Sequence, residues 1–271
     1  MENEVREICF DHELGIEAYR FEGIMQKFPS HFHEYYVLGF IERGHRKLSC
    51  KGQEYIIGTG DLIFFNPFDI HACEAINHEE LDYRCLNIES DVMRRAMYHL
   101  TGEYSLPYFM SPVFKHADHA GLLRELHHLI MDKENKAGKV DKFHRMIHEL
   151  ITNYAKVING SDVVKSEVGI EEICQYVNEN YKRPLSLDEL SATFGMNKFT
   201  LLRAFSKYKG ITPYKYLQTV RVNEAKKRLE QGERPIDVAL ETGFVDQSHL
   251  HKSFIDFIGF TPGQYKAINH A

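Results

Sequence analysis

The sequence predicts a chain of two domains: an all-β domain with a helical hairpin attached, followed by an all-α domain. Three observations predict this fold class. Short β-rich runs fill the stretch from about 16 to 90, helical periodicity begins at about 117, and one pattern occurs twice within about the last hundred residues. A chain of 271 residues is long enough to form two domains, and its apolar content of 43% is sufficient for two hydrophobic cores.

The first part of the chain alternates β-rich runs with turn residues. The runs are IEAYRFEG, YYVLGFIE, RKLSCKG, QEYIIG, DLIFFNP and LDYRCLNI, and they are punctuated by Gly44, Gly52, Gly58, Gly60 and Pro67. Many short strands at regular spacing are typical of a β-sandwich or a small β-barrel. We therefore expect the chain to begin with an all-β domain.

Two amphipathic helices follow, in the segments DHAGLLRELHHLIMDKEN and KVDKFHRMIHELITNYAKVI. Their apolar stripes are formed by Leu122, Leu126, Leu129 and Ile130, and by Phe143, Met146, Ile147, Leu150, Ile151 and Tyr154. A turn near Gly138 makes them an αα-hairpin, which can pack on the barrel, on itself or on a second subunit. We expect a first domain of 1–158 that forms a homodimer through residues 117–158. The polar stretch NGSDVVKSEV, at 159–168, is the expected linker.

The remaining residues, 169–271, contain the repeated pattern as GMNKFTLLRAFSKYKGITPYKY and as GFVDQSHLHKSFIDFIGFTPGQY. Asn197 and Asp246 each supply an N-cap for a helix, and in each copy a glycine ends that helix and Thr-Pro begins another. A shorter helix precedes each copy, and the first opens on the capping box SLDE. The sequence therefore predicts two helix-turn-helix units joined by one long helix, PYKYLQTVRVNEAKKRLEQ.

The two sequence stretches that contain this pattern closely resemble the DNA-binding domain of the AraC/XylS family of transcription regulators. They are LSLDELSATFGMNKFTLLRAFSKYKGITPYKYLQTVRVNEAKKRL and RPIDVALETGFVDQSHLHKSFIDFIGFTPGQYK, and the resemblance covers about 170–269. It implies that the second helix of each unit enters the major groove, in successive segments on one face of the DNA. The candidate DNA-binding residues are Lys198, Phe199, Leu202, Arg203, Ser206, Gln247, Ser248, His251 and Lys252.

The types of these side chains predict different contacts. Arg203 can make a bidentate contact with guanine, and Gln247 can read adenine. Phe199 and Leu202 can press on thymine methyl groups, so the first helix is expected to favour T-rich steps and the second to read more by polar contacts. The alternative for His251 and Lys252, as for Lys198, is contact with phosphate alone.

The strand-rich half is similar to the cupin-like ligand-binding domain that often precedes such a DNA-binding module. The stretches that carry this resemblance are HFHEYYVLGFIERG and GTGDLIFFNPFDIH, within about 16–90. The resemblance implies a small barrel that holds one small ligand between its sheets. The candidate ligand-binding residues are His31, His33, Tyr35, His71, Tyr83 and Arg84.

Three of these residues, His31, His33 and His71, raise the alternative of a divalent metal. Cupin enzymes also use a glutamate four or five residues after the second histidine, where this chain has Val37 and Leu38. We therefore expect neither a metal cofactor nor an enzyme, and leave the three histidines as metal candidates only. On the later helix His144 and His148 are four residues apart. This spacing could chelate a metal, but it is also found on an ordinary solvated helix face.

Charge and cysteine content agree with a regulator that binds DNA in the cytoplasm. Residues 169–271 carry 14 Lys and Arg against 12 Asp and Glu, whereas the rest of the chain carries 19 against 27. The five cysteines are scattered without a CxxC pair, and no apolar run is long enough to span a membrane.

The expected partners are promoter DNA, a small-molecule effector and a second copy of the chain, and RNA polymerase is a further candidate. We expect the protein to act as a transcriptional activator. Two alternatives remain open. One is a regulator that is controlled by partner proteins without a small molecule, and the other is a metal-binding cupin enzyme fused to a DNA-binding domain.

Overall fold

The structure is a computed structural model that describes residues 4–132, 138–158 and 168–269. The chain forms two compact units. One comprises Met1–Lys27, His33–Asp69 and Cys73–Asp162, and the other comprises Phe28–Phe32, Ile70–Ala72 and Val163–Ala271. The expected linker at 159–168 lies outside the described residues, except for Val168, with which a helix begins.

The strands occur in the first part of the chain, as expected. They are β1 (Val5–Asp11), β2 (Ile16–Ile24), β3 (Phe28–His31), β4 (Tyr36–Arg43), β5 (Arg46–Cys50), β6 (Gln53–Ile57), β7 (Leu62–Phe65), β8 (His71–Ala75), β9 (Leu81–Ile88), β10 (Leu106–Phe109), β11 (Val113–Phe114) and β12 (Ala155–Ile158). A six-stranded sheet has the order β1-β2-β9-β4-β7-β11, and a four-stranded sheet has the order β3-β8-β5-β6. The pair β10-β12 forms a third, small sheet.

The same region contains three helices, α1 (Ser90–Thr101), α2 (Ala120–Met131) and α3 (Lys139–Tyr154). Because side chains alternate along a strand, the six-stranded sheet has two different faces. One face carries Ala18, Leu38, Phe40, Leu86 and Ile88, and it forms a single apolar core with the three helices. The other face carries the intervening residues of the same strands.

The predicted helical hairpin is present, and its apolar stripes are buried within the protein. Leu126, Ile130, Phe143, Met146 and Leu150 all belong to the core that includes the six-stranded sheet. Of the packing arrangements that the sequence left open, α2 and α3 therefore pack on each other and on the sheet. These apolar residues are not available to a second subunit.

The helical unit contains α4 (Val168–Asn180), α5 (Leu187–Thr193), α6 (Lys198–Lys209), α7 (Pro213–Glu230), α8 (Pro235–Glu241), α9 (Gln247–Ile258) and α10 (Pro262–Asn269). The pairs α5–α6 and α8–α9 are the two helix-turn-helix units, and α7 is the long helix between them. The predicted fold class, an all-β domain with a helical hairpin followed by an all-α domain with two such units, is confirmed.

The helix ends have the local chemistry that the sequence predicts. The side chain of Asn197 accepts a hydrogen bond from the backbone nitrogen of Phe199 (3.0 Å), and that of Asp246 accepts one from His249 (2.8 Å). Thr212 caps α7 by accepting from the backbone nitrogen of Lys215 (3.2 Å). Each N-cap satisfies a donor that the first turn of a helix leaves unpaired.

Candidate functional sites

The second helix of the first unit, α6, presents one buried and one exposed face. Leu201 and Phe205 are fully buried, which fixes the rotation of the helix about its axis. Phe199 is 71% exposed, and Lys198 and Arg203 are exposed as well. Phe199 therefore lies on the face of α6 that Leu201 and Phe205 leave exposed, at the start of the helix.

Two of the candidate DNA-binding residues on α6 are less exposed than the others. Leu202 is half-buried and lines an apolar groove with Leu190 and Tyr214. The hydroxyl oxygen of Ser206 is buried. The exposed face of α6 therefore consists of Lys198, Phe199 and Arg203, with Leu202 and Ser206 at its margin.

The equivalent helix of the second unit, α9, has the same arrangement. Leu250 and Phe254 are fully buried, whereas the candidates on α9 are all exposed: Gln247, Ser248, His251 and Lys252. Val245, immediately before the N-cap, is 81% exposed. Sequence reasoning missed Val245. The signal was the turn itself, because GFVD contains one residue more than GMN between the glycine and the cap.

Intramolecular partners hold part of the exposed face of α6. Lys198 forms an ion pair with Asp188 of α5, and the Nε of Arg203 donates to the carbonyl oxygen of Phe199 at 3.4 Å. Both contacts are at the surface, where an ion pair contributes little to stability and is exchanged readily. Both side chains can therefore turn to a phosphate or a base edge.

The candidates Tyr83 and Arg84 are neighbours on β9, so they lie on opposite faces of the six-stranded sheet. Tyr83 stacks on Phe21, with ring centroids 6.4 Å apart, and burial raises its pKa well above the ordinary value. Arg84 forms an ion pair with Glu22 and lines a separate cleft of about 600 Å³ beside α2. The structure does not bring these two candidates into one site.

A buried polar cluster lies on the face of the six-stranded sheet that also carries Tyr83. The carboxylate oxygen Oε2 of Glu17 accepts hydrogen bonds from the hydroxyl of Tyr19 (3.2 Å) and from the amide of Asn87 (3.3 Å). All three side chains are buried, and Glu17 and Asn87 are directly opposite in the pairing of β2 with β9. Sequence reasoning missed this cluster, although a glutamate between Ile16 and Ala18 in an apolar strand was a signal.

His31 ends β3 and His71 begins β8, and both belong to the second compact unit, whereas His33 and Tyr35 belong to the first. His33 stacks on the buried Tyr35, with ring centroids 4.8 Å apart. The rings of His31 and His71 are 4.4 Å apart, and both residues are buried. Burial, and then the neighbouring His71, lower the pKa of His31 well below its ordinary value.

Comparisons with known proteins agree with this geometry. The family model of the AraC-like ligand binding domain matches residues 13–146, and that of a helix-turn-helix domain matches residues 190–268. The HTH-type transcriptional regulator YbfI of Bacillus subtilis (strain 168) is 48% identical over 250 residues, which cover 92% of this chain and 91% of that protein. The chain belongs to the AraC-type transcriptional regulators.

More distant relatives and solved structures extend the similarity. The transcriptional activator RhaS of Klebsiella pneumoniae (strain 342) is 22% identical over 84% of this chain and 83% of its own length. ToxT from Vibrio cholerae has a TM-score of 0.55 at 15% identity, covering 93% of this chain and 97% of ToxT. ToxT with a bound unsaturated fatty acid has a TM-score of 0.54 at 13% identity, covering 99% and 98%. At this identity the ToxT structures support the two-domain fold alone.

The regulator is accordingly a DNA-binding protein whose strand-rich region is an AraC-like ligand binding domain. The relatives named above are regulators, and the part of the chain that the structure describes contains no helix that is both long and apolar enough to cross a membrane.

Proposed function

We propose that this AraC-type regulator reads two successive major-groove segments of promoter DNA with α6 and α9, under the control of a small molecule in its strand-rich unit. One observation carries the DNA-reading part. In both helices the same positions are buried, Leu201 and Phe205 in α6 and Leu250 and Phe254 in α9, so that equivalent faces are left exposed. Two such helices, joined by one long connecting helix, are the elements that would enter successive major-groove segments.

Removal of Arg203 or Lys252 is the test of these reading faces. Arg203→Ala is expected to weaken specific binding by about 1–3 kcal/mol, or roughly 5- to 150-fold, and to relax specificity at one base position. Lys252→Ala is expected to weaken binding as well. The probe is a duplex obtained by selection from random DNA with the wild-type protein, and affinity is measured by fluorescence anisotropy at several salt concentrations.

The matched control for this test is Lys27→Ala, which removes one positive charge from a strand-side lysine that is paired with Glu74 at 2.6 Å. Its affinity for the selected duplex should equal that of the wild type. Unchanged affinity in both Arg203→Ala and Lys252→Ala, with normal unfolding curves, would show that the reading faces are assigned wrongly.

Small-molecule control is supported by the match to an AraC-like ligand binding domain and by the buried cluster of Glu17, Tyr19 and Asn87. A few polar groups set among aromatic and apolar side chains are typical of a site that orients a small ligand. ToxT, which shares the fold, is known with an unsaturated fatty acid bound. We propose that the strand-rich unit binds its ligand without converting it, since Val37 and Leu38 occupy the positions where cupin enzymes have a glutamate.

Thermal unfolding of the full chain against a panel of metabolites tests this control. A ligand that binds only the folded state raises the melting temperature as its concentration exceeds its Kd. We expect one chemical class of metabolite to raise the melting temperature of the wild type, and to do so with a chelator present. The same compounds should raise the melting temperature of the Glu17→Gln and Asn87→Leu variants less. A shift that is unchanged in both variants would place the ligand elsewhere. If no member of the panel shifts the transition, and no small molecule is released on denaturing freshly purified protein, control by partner proteins is the better hypothesis.

We further propose a homodimer that acts in the cytoplasm as an activator next to RNA polymerase. A dimer that forms through residues 117–158 must use the exposed side of the hairpin α2–α3, because the apolar side packs on the sheet. The molar mass of the full chain in solution tests this proposal.

A further inference from the structure

We propose that a cleft between α1 and α3 binds an aromatic organic anion. The cleft has a volume of about 730 Å³, and all of its lining residues belong to the first compact unit. None of them belongs to the buried cluster of Glu17, Tyr19 and Asn87. The proposal is therefore independent both of that cluster and of the DNA-reading function.

The two walls of the cleft follow from helical spacing. On α1, Arg95 and His99 are four residues apart and share one face of the helix with Val92. On α3, Val140 and His144 are also four residues apart and line the opposite wall. The cleft therefore lies between one face of each helix.

The floor of the cleft is apolar, and one side of it is aromatic. Four buried side chains form the floor: Leu14, Val92, Ala96 and Phe143. At the side Tyr98 stacks on Tyr104, with ring centroids 4.2 Å apart and an angle of 12° between the ring planes. Both tyrosines are exposed, so the stacked pair offers a flat surface to a further ring. This combination suits a ligand with a flat apolar body.

A second pair of rings joins the two helices. His99 of α1 stacks on His144 of α3, with ring centroids 4.2 Å apart and an angle of 19° between the planes. Burial, and then the neighbouring His99, lower the pKa of His144, so its ring is neutral near pH 7 and keeps one N–H to donate. Neither ring forms a hydrogen bond with another residue of the described chain. Both can therefore donate to an oxygen atom of a ligand.

The charge of Arg95 selects an anion. Arg95 is exposed and forms no ion pair or hydrogen bond with any residue that the structure describes. Among the described lining residues the single carboxylate is that of Glu13, which is paired with the buried Lys139 at 3.2 Å. The guanidinium of Arg95 is therefore left for a ligand, and its planar donors fit a carboxylate, a sulfonate or a phosphate.

Binding of two related fluorescent dyes to the full chain tests the proposal. Anilinonaphthalenesulfonate is an aromatic anion, and phenylnaphthylamine has the same rings without the sulfonate. Arg95→Gln should lower the affinity for the anionic dye roughly threefold to tenfold and leave the affinity for the neutral dye unchanged. Tyr98→Ala should lower the affinity for both dyes, because it removes the flat surface on which their rings stack.

The matched control is Arg94→Gln, which removes the same charge from the neighbouring position of α1, where the guanidinium is paired with Asp91. Its affinity for both dyes should equal that of the wild type. Three results would overturn the proposal: no saturable binding of the anionic dye by the wild type, wild-type affinity for that dye in Arg95→Gln, or an equal loss in Arg94→Gln.

The molar mass of each variant in solution distinguishes a ligand site from an interface between copies of the chain. A wild-type dimer that becomes a monomer in Tyr98→Ala, with unchanged affinity for both dyes, would also overturn the proposal. Circular dichroism of each variant separates loss of binding from loss of fold. Binding of the selected DNA duplex, measured in parallel, reports on the DNA-reading proposal separately.

Discussion

Replacement of Gly243 by alanine is expected to lower the free energy of unfolding of the helical unit by about 3 kcal/mol or more. Gly243 has φ +81°, a region that costs a residue with a Cβ roughly 1–2 kcal/mol. In addition, a Cβ at this position would lie 2.6 Å from the carbonyl oxygens of both Tyr181 and Lys182. Two backbone groups cannot turn aside as a flexible side chain can, so the turn between α8 and α9 must move.

The matched control is Gly195→Ala, at the equivalent turn of the first unit. Gly195 has φ +63°, but a Cβ there would have no atom of the described chain within 4 Å. Only the cost of the left-handed conformation applies, so we expect a loss of about 1–2 kcal/mol. Urea unfolding followed by circular dichroism measures both, and Gly243→Ala should also weaken DNA binding more, since it displaces α9. Equal losses in the two variants would contradict the argument from the carbonyl contacts.

The contact at Gly243 belongs to a larger arrangement around the end of α4. Arg221 of α7 is buried and donates from Nε to the carbonyl oxygen of Tyr181 (2.8 Å) and from Nη2 to that of Arg183 (2.9 Å). These bonds satisfy carbonyl groups that follow the last turn of a helix. The backbone of residues 181–183 therefore contacts Arg221 of α7 and also lies against Gly243, in the turn between α8 and α9. These contacts connect the second helix-turn-helix, α8–α9, to α4 and α7.

The repeated pattern could be predicted from the sequence because its signals are local. Asn197, Asp246 and Thr212 act within one helical turn of themselves, and a glycine ends a helix through its own backbone conformation. Helical spacing predicted the exposed face of α9 and the exposed Phe199 and Arg203 of α6, whereas Leu202 and Ser206 lie at the margin of that face. By contrast, the local sequence does not show that a Cβ is obstructed at Gly243 and unobstructed at Gly195, because the obstruction comes from carbonyl groups about sixty residues earlier in the chain.

Features that depend on long-range pairing could be predicted less well. The strand LDYRCLNI was recognised with its bounds, but β3 and β8 were not, because they are short and interrupted by polar residues. Helix α1 was missed as well. Tyr83 and Arg84 were grouped by their chemistry, although adjacent residues of a strand face opposite sides. The cluster at Glu17 depends on the pairing of β2 with β9, which joins residues about seventy positions apart.

His127 makes the stability of the strand-rich unit sensitive to acid. It lies on α2, is buried, and donates from Nε2 to the carbonyl oxygen of Tyr19 at 2.9 Å. Its ring meets that of Phe40 edge to face, with centroids 6.0 Å apart. Burial lowers the pKa of His127 from 6.5 to about 4, since the apolar surroundings disfavour the charged imidazolium.

Acidification is therefore expected to destabilise the unit over the range between these two pKa values. Between pH 6.5 and about 4 the unfolded chain binds a proton on His127 that the folded chain does not bind, so stability falls as the pH falls. The loss from this residue should reach about 2 kcal/mol at pH 5 and about 3 kcal/mol below pH 4.

His127→Gln keeps a donor for Tyr19 and cannot titrate, so its free energy of unfolding should depend on pH less steeply than that of the wild type. His128→Gln, on the exposed side of the same helix, is the control and should keep the wild-type slope. Urea unfolding at several pH values between 7 and 4 measures the three slopes. Equal slopes for the wild type and His127→Gln would mean that folding leaves the pKa of His127 unchanged, because only a group that changes its proton occupancy on unfolding contributes to the dependence.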